Sequence, residues 1–376
     1  MKLFLSIIIS FFLITCALPV RSVGTVQTNQ PINMLAGVKV FNVKVTTGQL
    51  NVRAVPGGNV LGYFVLGNIV AVYESTVYDG ATWYKVLYNG KYGWMHCFYT
   101  QVVPTAMSWY ASVVSVDNMY SLIGTLSNKD NARIAGTNSE KLAGDMLETR
   151  LKSYGYTVTR QWFPTWIKLS TGVRGANSTS SNVFAKSAHF DPLKKTVILM
   201  AHYDGVYTYA ADDNASGVAM TVELARYLET RTDLHVNVVI LLTGAEEGRH
   251  HGSLYYAAHP LVPLASTQLV INLDMVGAGT TYEIYNSTIL MGQKYFARYA
   301  FGVGKTIGIN MLYSQSTYSD HFSFEPKGIQ CVTFMNLKSY TYYHTDYDTL
   351  SRIDKNVLRN ISTMALNTIE EASRTY

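Results

Sequence analysis

The stretch ILLTGAEEGRHHGS, residues 240–253, carries two adjacent glutamates, Glu246 and Glu247, straight out of an apolar run. The pattern recurs. TVILMA leads into His202 and Asp204, and QLVINL leads into Asp274. YAADDNASG supplies Asp212 and Asp213 ahead of a helical pattern, and KSYTYYHTDYDT supplies His344 and Asp348. Imidazoles mixed with carboxylates, with no cysteine among them, suit zinc, manganese or cobalt in an open coordination sphere. The carboxylates bring more negative charge than one divalent ion needs, whereas two ions about 3.5–4 Å apart and bridged by a carboxylate balance it. Each residue alone has a plainer explanation. Asp212, Asp213 and Asn214 suit a helix N-cap, paired glutamates suit a helix N-terminus, and a lone histidine or strand-end aspartate needs no ligand. The same residue types after three consecutive buried strands favour one shared site.

The elements that must position these residues are legible in the same stretches. TVILMA, HVNVVILL, QLVINL and IQCVTFM are near-continuous apolar runs, the pattern of strands buried on both faces. SEKLAGDMLETRLKSYGY, with Leu142, Met146, Leu147 and Leu151 at helical spacing before Gly155, and ASGVAMTVELARYLETR read as helices. The expected fold class is α/β, a mainly parallel or mixed sheet sandwiched by helices. Ligands of such sheets bind beyond the carboxyl ends of the strands, where the polar residues fall. The polar segment 170–182, STGVRGANSTSSN, reads as a loop.

Residues 38–103 have a different texture, short period-two runs punctuated by glycines. TWYKVLYNGKYGWMH is a hairpin about Asn89-Gly90, a pair suited to a tight turn with positive φ. LNVR, WYKV and GWM in this order resemble a bacterial-type SH3 domain, a small all-β barrel. That resemblance implies a cell-wall peptide as the barrel's partner; an intramolecular contact that restricts access to the second domain is the competing expectation. Each segment has enough apolar residues for its own core, so the two are expected to fold independently. Residues 1–22 combine Lys2, an apolar stretch from Leu3 to Leu18 and Pro19, the layout of a signal peptide. The stretch is short for a membrane span, so the mature chain is expected to be secreted, or periplasmic in a Gram-negative source, without a stable membrane anchor. The net charge of +5 is spread along 376 residues with no basic run, which argues against a nucleic-acid partner. Cys97 and Cys331 fall in different expected domains, which argues against their pairing. Sequons occur at Asn177, Asn214, Asn286 and Asn360; the one at Asn214 adjoins the candidate site and is expected to stay unmodified.

From about residue 107 to 376 the motifs AHYDG, AADDNASGV, GAEEG, INLDMVG, SDHFSF and YHTDYDT resemble, in order, the zinc aminopeptidases of the M28 family. The resemblance implies two zinc ions, with manganese or cobalt as substitutes. His202 and Asp274 would hold one, Glu247 and His344 the other, and Asp212 would bridge them across a cis peptide bond between Asp212 and Asp213. Glu246 would be the general base. Asp204 would orient His202, and Asp348 would do likewise near His344. Tyr343 becomes a candidate donor to the oxyanion. His250 and His251 have no counterpart in the family pattern and read as a solvated loop. The implied activity is removal of N-terminal residues from peptides. The same metal ligands would serve a carboxypeptidase or dipeptidase. A single-zinc glutaminyl cyclase, which usually carries serine where Asp213 stands, and an inactive binding protein are further alternatives. Serine hydrolysis is disfavoured: there is no G-x-S-x-G, and the neighbours Ser319, Asp320 and His321 cannot form a triad.

Overall fold

In the computed structural model the described residues are 41–103, 110, 113–168, 174–286 and 295–375. The expected signal peptide, residues 1–22, lies outside them. The chain enters through seven strands: β1 (Phe41–Val45), β2 (Gln49–Arg53), β3 (Val60–Val65), β4 (Ile69–Tyr78), β5 (Ala81–Tyr88), β6 (Lys91–His96) and β7 (Thr100–Val103). They form one antiparallel sheet in the order β3-β2-β6-β5-β4-β1-β7. Alternate side chains point inward, so Val43, Val45, Leu50, Val52, Val70, Val72 and Val86 are buried. Asn89 and Gly90 both have positive φ, +47° and +76°. This is the turn that matches the twist of the β5–β6 hairpin.

The second part carries α1 (Val116–Leu126), α2 (Asn138–Ser153), β8 (Thr157–Lys168), β9 (Arg174–Lys186), β10 (Thr196–His202), α3 (Gly217–Leu228), β11 (Asn237–Thr243) and α4 (His251–Ala258). It continues through β12 (Thr267–Leu273), β13 (Tyr282–Asn286), α5 (Tyr295–Thr306), β14 (Met311–Gln315), β15 (Gln330–Met335) and α6 (Lys355–Arg374). Eight strands run in the order β14-β13-β15-β12-β10-β11-β9-β8. The central four, β15-β12-β10-β11, are parallel, and the flanks are mixed. Every residue of β10 and β11 is buried. The alternation divides them between two cores. Val197, Leu199 and Ala201 of β10 pack with the side of α1, α3 and α6. Ile198 and Met200 pack with Tyr256 and Ala257 of α4 and with Phe324. Helices on both faces are the reason these strands tolerate no polar face.

One expectation fails here. Residues 174–182 are not loop but the first two-thirds of β9, which pairs with β8 in a long hairpin. Their small polar side chains are used: Ser180, Ser181 and Asn182 are buried and hydrogen-bonded toward the site side of the sheet. Cys97 and Cys331 are both buried and form no disulfide.

The barrel and the sheet are not separate bodies either. Barrel residues Val43, Val72 and Val102 belong to one continuous apolar cluster with Phe296, Ala300 and Val303 of α5. The buried Arg298 guanidinium of α5 donates to Thr100 Oγ1 at 2.9 Å. Removing residues through about 104 therefore uncovers an apolar face of α5, and the shortened chain is expected to melt well below the full-length chain or to aggregate. A thermal melt of both forms checks this, and equal melting temperatures would restore the independent-domain reading.

Candidate metal centre

In-register parallel pairing brings the carboxyl ends of β10, β11 and β12 to one edge, with His202 opposite Thr243. Each of these strands leads into a turn held by buried polar groups. After β10, the Asp204 carboxylate lies 3.5 Å from His202 Nδ1. It also accepts the backbone N–H groups of Glu246 at 2.9 Å and Glu247 at 3.1 Å. One acid thus faces an imidazole and fixes the loop that carries two further acids. After β11, Gly244 lies so close to the β9 strand that a β-carbon would meet Ser180 Oγ at 2.3 Å and Ser181 O at 2.6 Å. Ala245 takes a left-handed φ of +52°. Its N–H donates at 3.1 Å to Glu140, a buried carboxylate that also takes the N–H of Gly136. After β12, Asp274 Oδ2 accepts from Ser319 Oγ at 2.6 Å, and that hydroxyl accepts from Asn272.

The loop before α3 overturns one expectation. Asp213, not Asp212, faces the cluster, and the cis peptide bond is Asp213–Asn214 rather than Asp212–Asp213. Asp348 does not orient His344. Its two oxygens accept the backbone N–H of Asp212 at 2.8 Å and of Asp213 at 3.0 Å. The Asn214 side chain accepts from Gly217 and Met275 N–H and donates to the Leu273 carbonyl. With those groups pinned, the Asp212 side chain turns inward, where Oδ1 accepts from Gly277 N–H at 2.6 Å. Burial and the neighbouring Asp348 push its pKa up to about 8. Asn214, fully buried with its amide so engaged, is no surface for a glycan.

Asp213 Oδ1 lies 3.3 Å from His202 Nε2, and Asp213 Oδ2 lies 3.0 Å from His344 Nε2. Asp274 Oδ1 stands 3.4 Å from the first imidazole, and Glu247 Oε1 stands 2.8 Å from the second. Two trios result, His202–Asp213–Asp274 and Asp213–Glu247–His344, each with its donor atoms within 4.8 Å of one another. They share Asp213 through opposite oxygens. Burial disfavours a protonated imidazole, yet these carboxylates outweigh it. His202 is raised well above the usual histidine value, and His344 is carried up to about 11. Asp213 is held below the usual carboxylate range, against its burial, by the two imidazoles. So much negative charge in a buried crevice calls for cations. Five nitrogen and carboxylate ligands in two trios with one shared acid fit two divalent ions of the zinc type.

Glu246 belongs to neither trio. It is buried beside them, and burial pushes its pKa up to about 8, with His202 and His250 acting in the opposite direction. A cleft of about 590 Å³ opens over these residues, with Met275, Phe322, Met335, Leu337 and Tyr343 on its walls. Tyr343 is partly exposed and its ring lies 4.9 Å from that of His344. Among the described residues, those that line the cleft all come from the second part of the chain.

Three participants were missed in the sequence. By sequence Ser319 reads only as one of three neighbours that cannot form a triad, Arg133 carries no motif, and His250 reads as a solvated loop. Arg133 is buried, donating through Nε to Tyr203 O at 2.8 Å, through Nη2 to Ala210 O at 3.1 Å, and through Nη1 to Leu126 O. It ties the β10 turn to the turn that carries Asp213. His250 lies against Glu246, whereas His251 turns away to Thr165 and the edge of Trp166.

The model of the family described as peptidase family M28 matches residues 182–369, and that of the bacterial SH3 domain matches 48–96. Aminopeptidase YwaD of Bacillus subtilis (strain 168) is 29% identical over 208 residues, 52% of this chain and 45% of that one. The chain thus spans less than half the length of that relative. An aminopeptidase from Aneurinibacillus sp. strain AM-1 superposes with a TM-score of 0.60 over 69% of this chain and 93% of its own; at 21% identity the likeness is one of fold. A Porphyromonas gingivalis glutaminyl cyclase superposes with a TM-score of 0.57 at 26% identity over 70% of this chain and all of its own.

The two aspartates separate cleanly in a metal titration. Asp213→Asn is expected to weaken zinc at both positions, by more than the roughly 10- to 100-fold that losing an outer-shell partner costs. Asp212→Asn should leave zinc stoichiometry unchanged in calorimetry. The opposite ranking would return the bridging role to Asp212.

Proposed function

The chain belongs to peptidase family M28, and on that premise we propose that it is a zinc-dependent aminopeptidase working with two ions. The observation that carries this reading is the placement of Glu246, beside two trios that share Asp213 yet in neither of them. Zinc bound at such trios supplies Lewis acidity and a water that loses its proton near neutrality. The protein's own residues do the rest. Glu246 takes the proton from the attacking water and returns it to the departing amine. Asp204 holds Glu246 and Glu247 by their backbone and faces the far nitrogen of His202, so neither acid drifts from its role. The Tyr343 hydroxyl, on the cleft wall, is the donor proposed for the developing oxyanion. The apolar side chains of Met275, Phe322, Met335 and Leu337 favour an apolar residue next to the bond that is cut.

A glutaminyl cyclase is the second reading, favoured by the likeness to the Porphyromonas gingivalis enzyme. Against it stands the His202–Asp274 pair, which with Asp213 would hold a second cation. Export is proposed on residues 1–22 alone, and a cell-wall peptide as the barrel's ligand on its bacterial SH3 character.

The deciding experiment offers zinc-loaded protein free, N-acetylated and N-terminal glutaminyl peptides. Residues should be released from the free N-terminus, and acetylation should slow cleavage by about one to two decades, the worth of one charge-assisted hydrogen bond. Release from the carboxyl end irrespective of acetylation would make the protein a carboxypeptidase, and ammonia release with ring closure would make it a cyclase. Exhaustive chelation should abolish activity.

Glu246→Gln should keep bound zinc and lose most turnover, while Glu247→Ala should lose zinc. The base acts ionised, so kcat/KM should fall as pH drops through its pKa. Burial, opposed by His202 and His250, lifts that value to about 8, and bound cations lower it. The acidic limb is therefore expected below pH 8 and above the ordinary glutamate range in a steady-state pH profile, and its absence would remove Glu246 from the role.

A further inference from the structure

The loop that presents Glu246 folds back onto it. Arg249 and His250 both take left-handed backbone, with φ of +76° and +59°, and turn the chain sharply after Gly248. The His250 N–H then donates to the Glu246 carbonyl at 2.7 Å. The His250 side chain returns to the same residue, with Nε2 at 3.2 Å from Glu246 Oε1 and only 17% of the side chain exposed. The Phe322 ring, 6.4 Å away, flanks the imidazole in the cleft. A left-handed conformation is free to glycine and resisted by a β-carbon. Histidine stands there all the same, and its ring reaches Glu246, a cleft acid that lies outside both trios.

We propose that His250 is a positioning residue for Glu246: its Nε2–H donates to the Glu246 carboxylate and fixes the orientation in which that carboxylate meets the water and the leaving amine. The inference rests on Glu246 being the base, whichever bond the centre breaks. It also explains why the corner is not a glycine. Three carboxylates face the ring from three elements: Glu246 on its own loop, Asp320 on the short helical turn Asp320–Ser323, and Asp274 beyond β12. Burial lowers the pKa of the imidazole, but these neighbours outweigh it and raise it. His251, engaged by Thr165, cannot substitute.

The test compares His250→Gly and His250→Gln in the full chain loaded with zinc. Glycine relaxes the corner and removes the donor. Its melting temperature should hold or rise and its zinc content should stay the same, while kcat falls by about 10- to 100-fold at unchanged KM. Glutamine places an amide N–H near the position of Nε2 and should recover most of the turnover. Wild-type kcat in the glycine variant would overturn the proposal, as would equal impairment of both variants or loss of zinc from the glycine variant. The hydrogen bond can also be read without turnover, by nitrogen NMR of the imidazole in the zinc-loaded wild type. A proton on Nε2 supports the proposal, and a neutral ring protonated on Nδ1 overturns it. If the wild type releases no N-terminal residue, the aminopeptidase reading fails on that result alone, and the NMR signal still decides the role of His250.

Discussion

Like charges gathered in a buried crevice repel one another, and the catalytic part is organised around holding them together. Asp213, Glu246, Glu247 and Asp274 converge at the carboxyl edge of the sheet, with His202 and His344 between the ligand acids and His250 against Glu246. No single interaction keeps them there. Each acid is placed by its backbone, and each backbone is pinned by a group that is itself buried. Asp204 takes two N–H groups of the Glu246–Glu247 turn, and Asp348 takes two from Asp212 and Asp213. These hydrogen bonds run from neutral donors to carboxylates. They are stronger than ordinary ones, and they satisfy acids that could not be buried otherwise.

The same need explains the unusual backbone. Ala210, Ala245, Arg249, His250, Met275 and His344 all have positive φ without being glycine, and all lie within a few residues of the cluster. Such conformations persist where surrounding contacts over-determine them. Here the contacts are visible. Arg133 grips the carbonyl of Ala210, Glu140 accepts the N–H of Ala245, and the Asn336 N–H reaches the carbonyl of Met275. Arg133 and Glu140 come from the segment ahead of β8, outside the matched family region. This segment buttresses the centre from behind; burial lowers the pKa of its guanidinium to about 10, with Asp204, Asp348, Asp213 and Glu247 acting in the opposite direction.

Chemistry at this centre therefore depends on adjacent residues pointing different ways. Glu246 and Glu247 are neighbours, yet one joins His344 and the other lies against His250. Asp212 and Asp213 are neighbours, yet one is spent on the N–H of Gly277 and the other lies between the two imidazoles. The first split falls in the turn after β11 and the second in a kinked helical segment with non-helical φ/ψ at Asp213 and Asn214. Among the described residues the barrel lines none of the cleft, and its shared core with α5 makes it a structural neighbour of the sheet.

Composition and pattern alone determined the α/β class, the four buried strands, the barrel with its Asn89-Gly90 turn, and the convergence of His202, Glu246, Glu247, Asp274 and His344. Those features rest on periodicity and on strand ends, which are local and one-dimensional. The tertiary structure decided which aspartate faces the cluster, because that choice belongs to a backbone path set by Asp348, 135 residues away in the chain. It decided that 174–182 is strand, because those polar side chains are satisfied by partners across the sheet and not by their own sequence neighbours. It decided that the barrel shares its core with α5, because period-two patterning marks which residues turn inward and not what they meet. It turned His250 toward Glu246, because a positive φ at a non-glycine residue leaves no mark in the sequence and appears only when the turn is built.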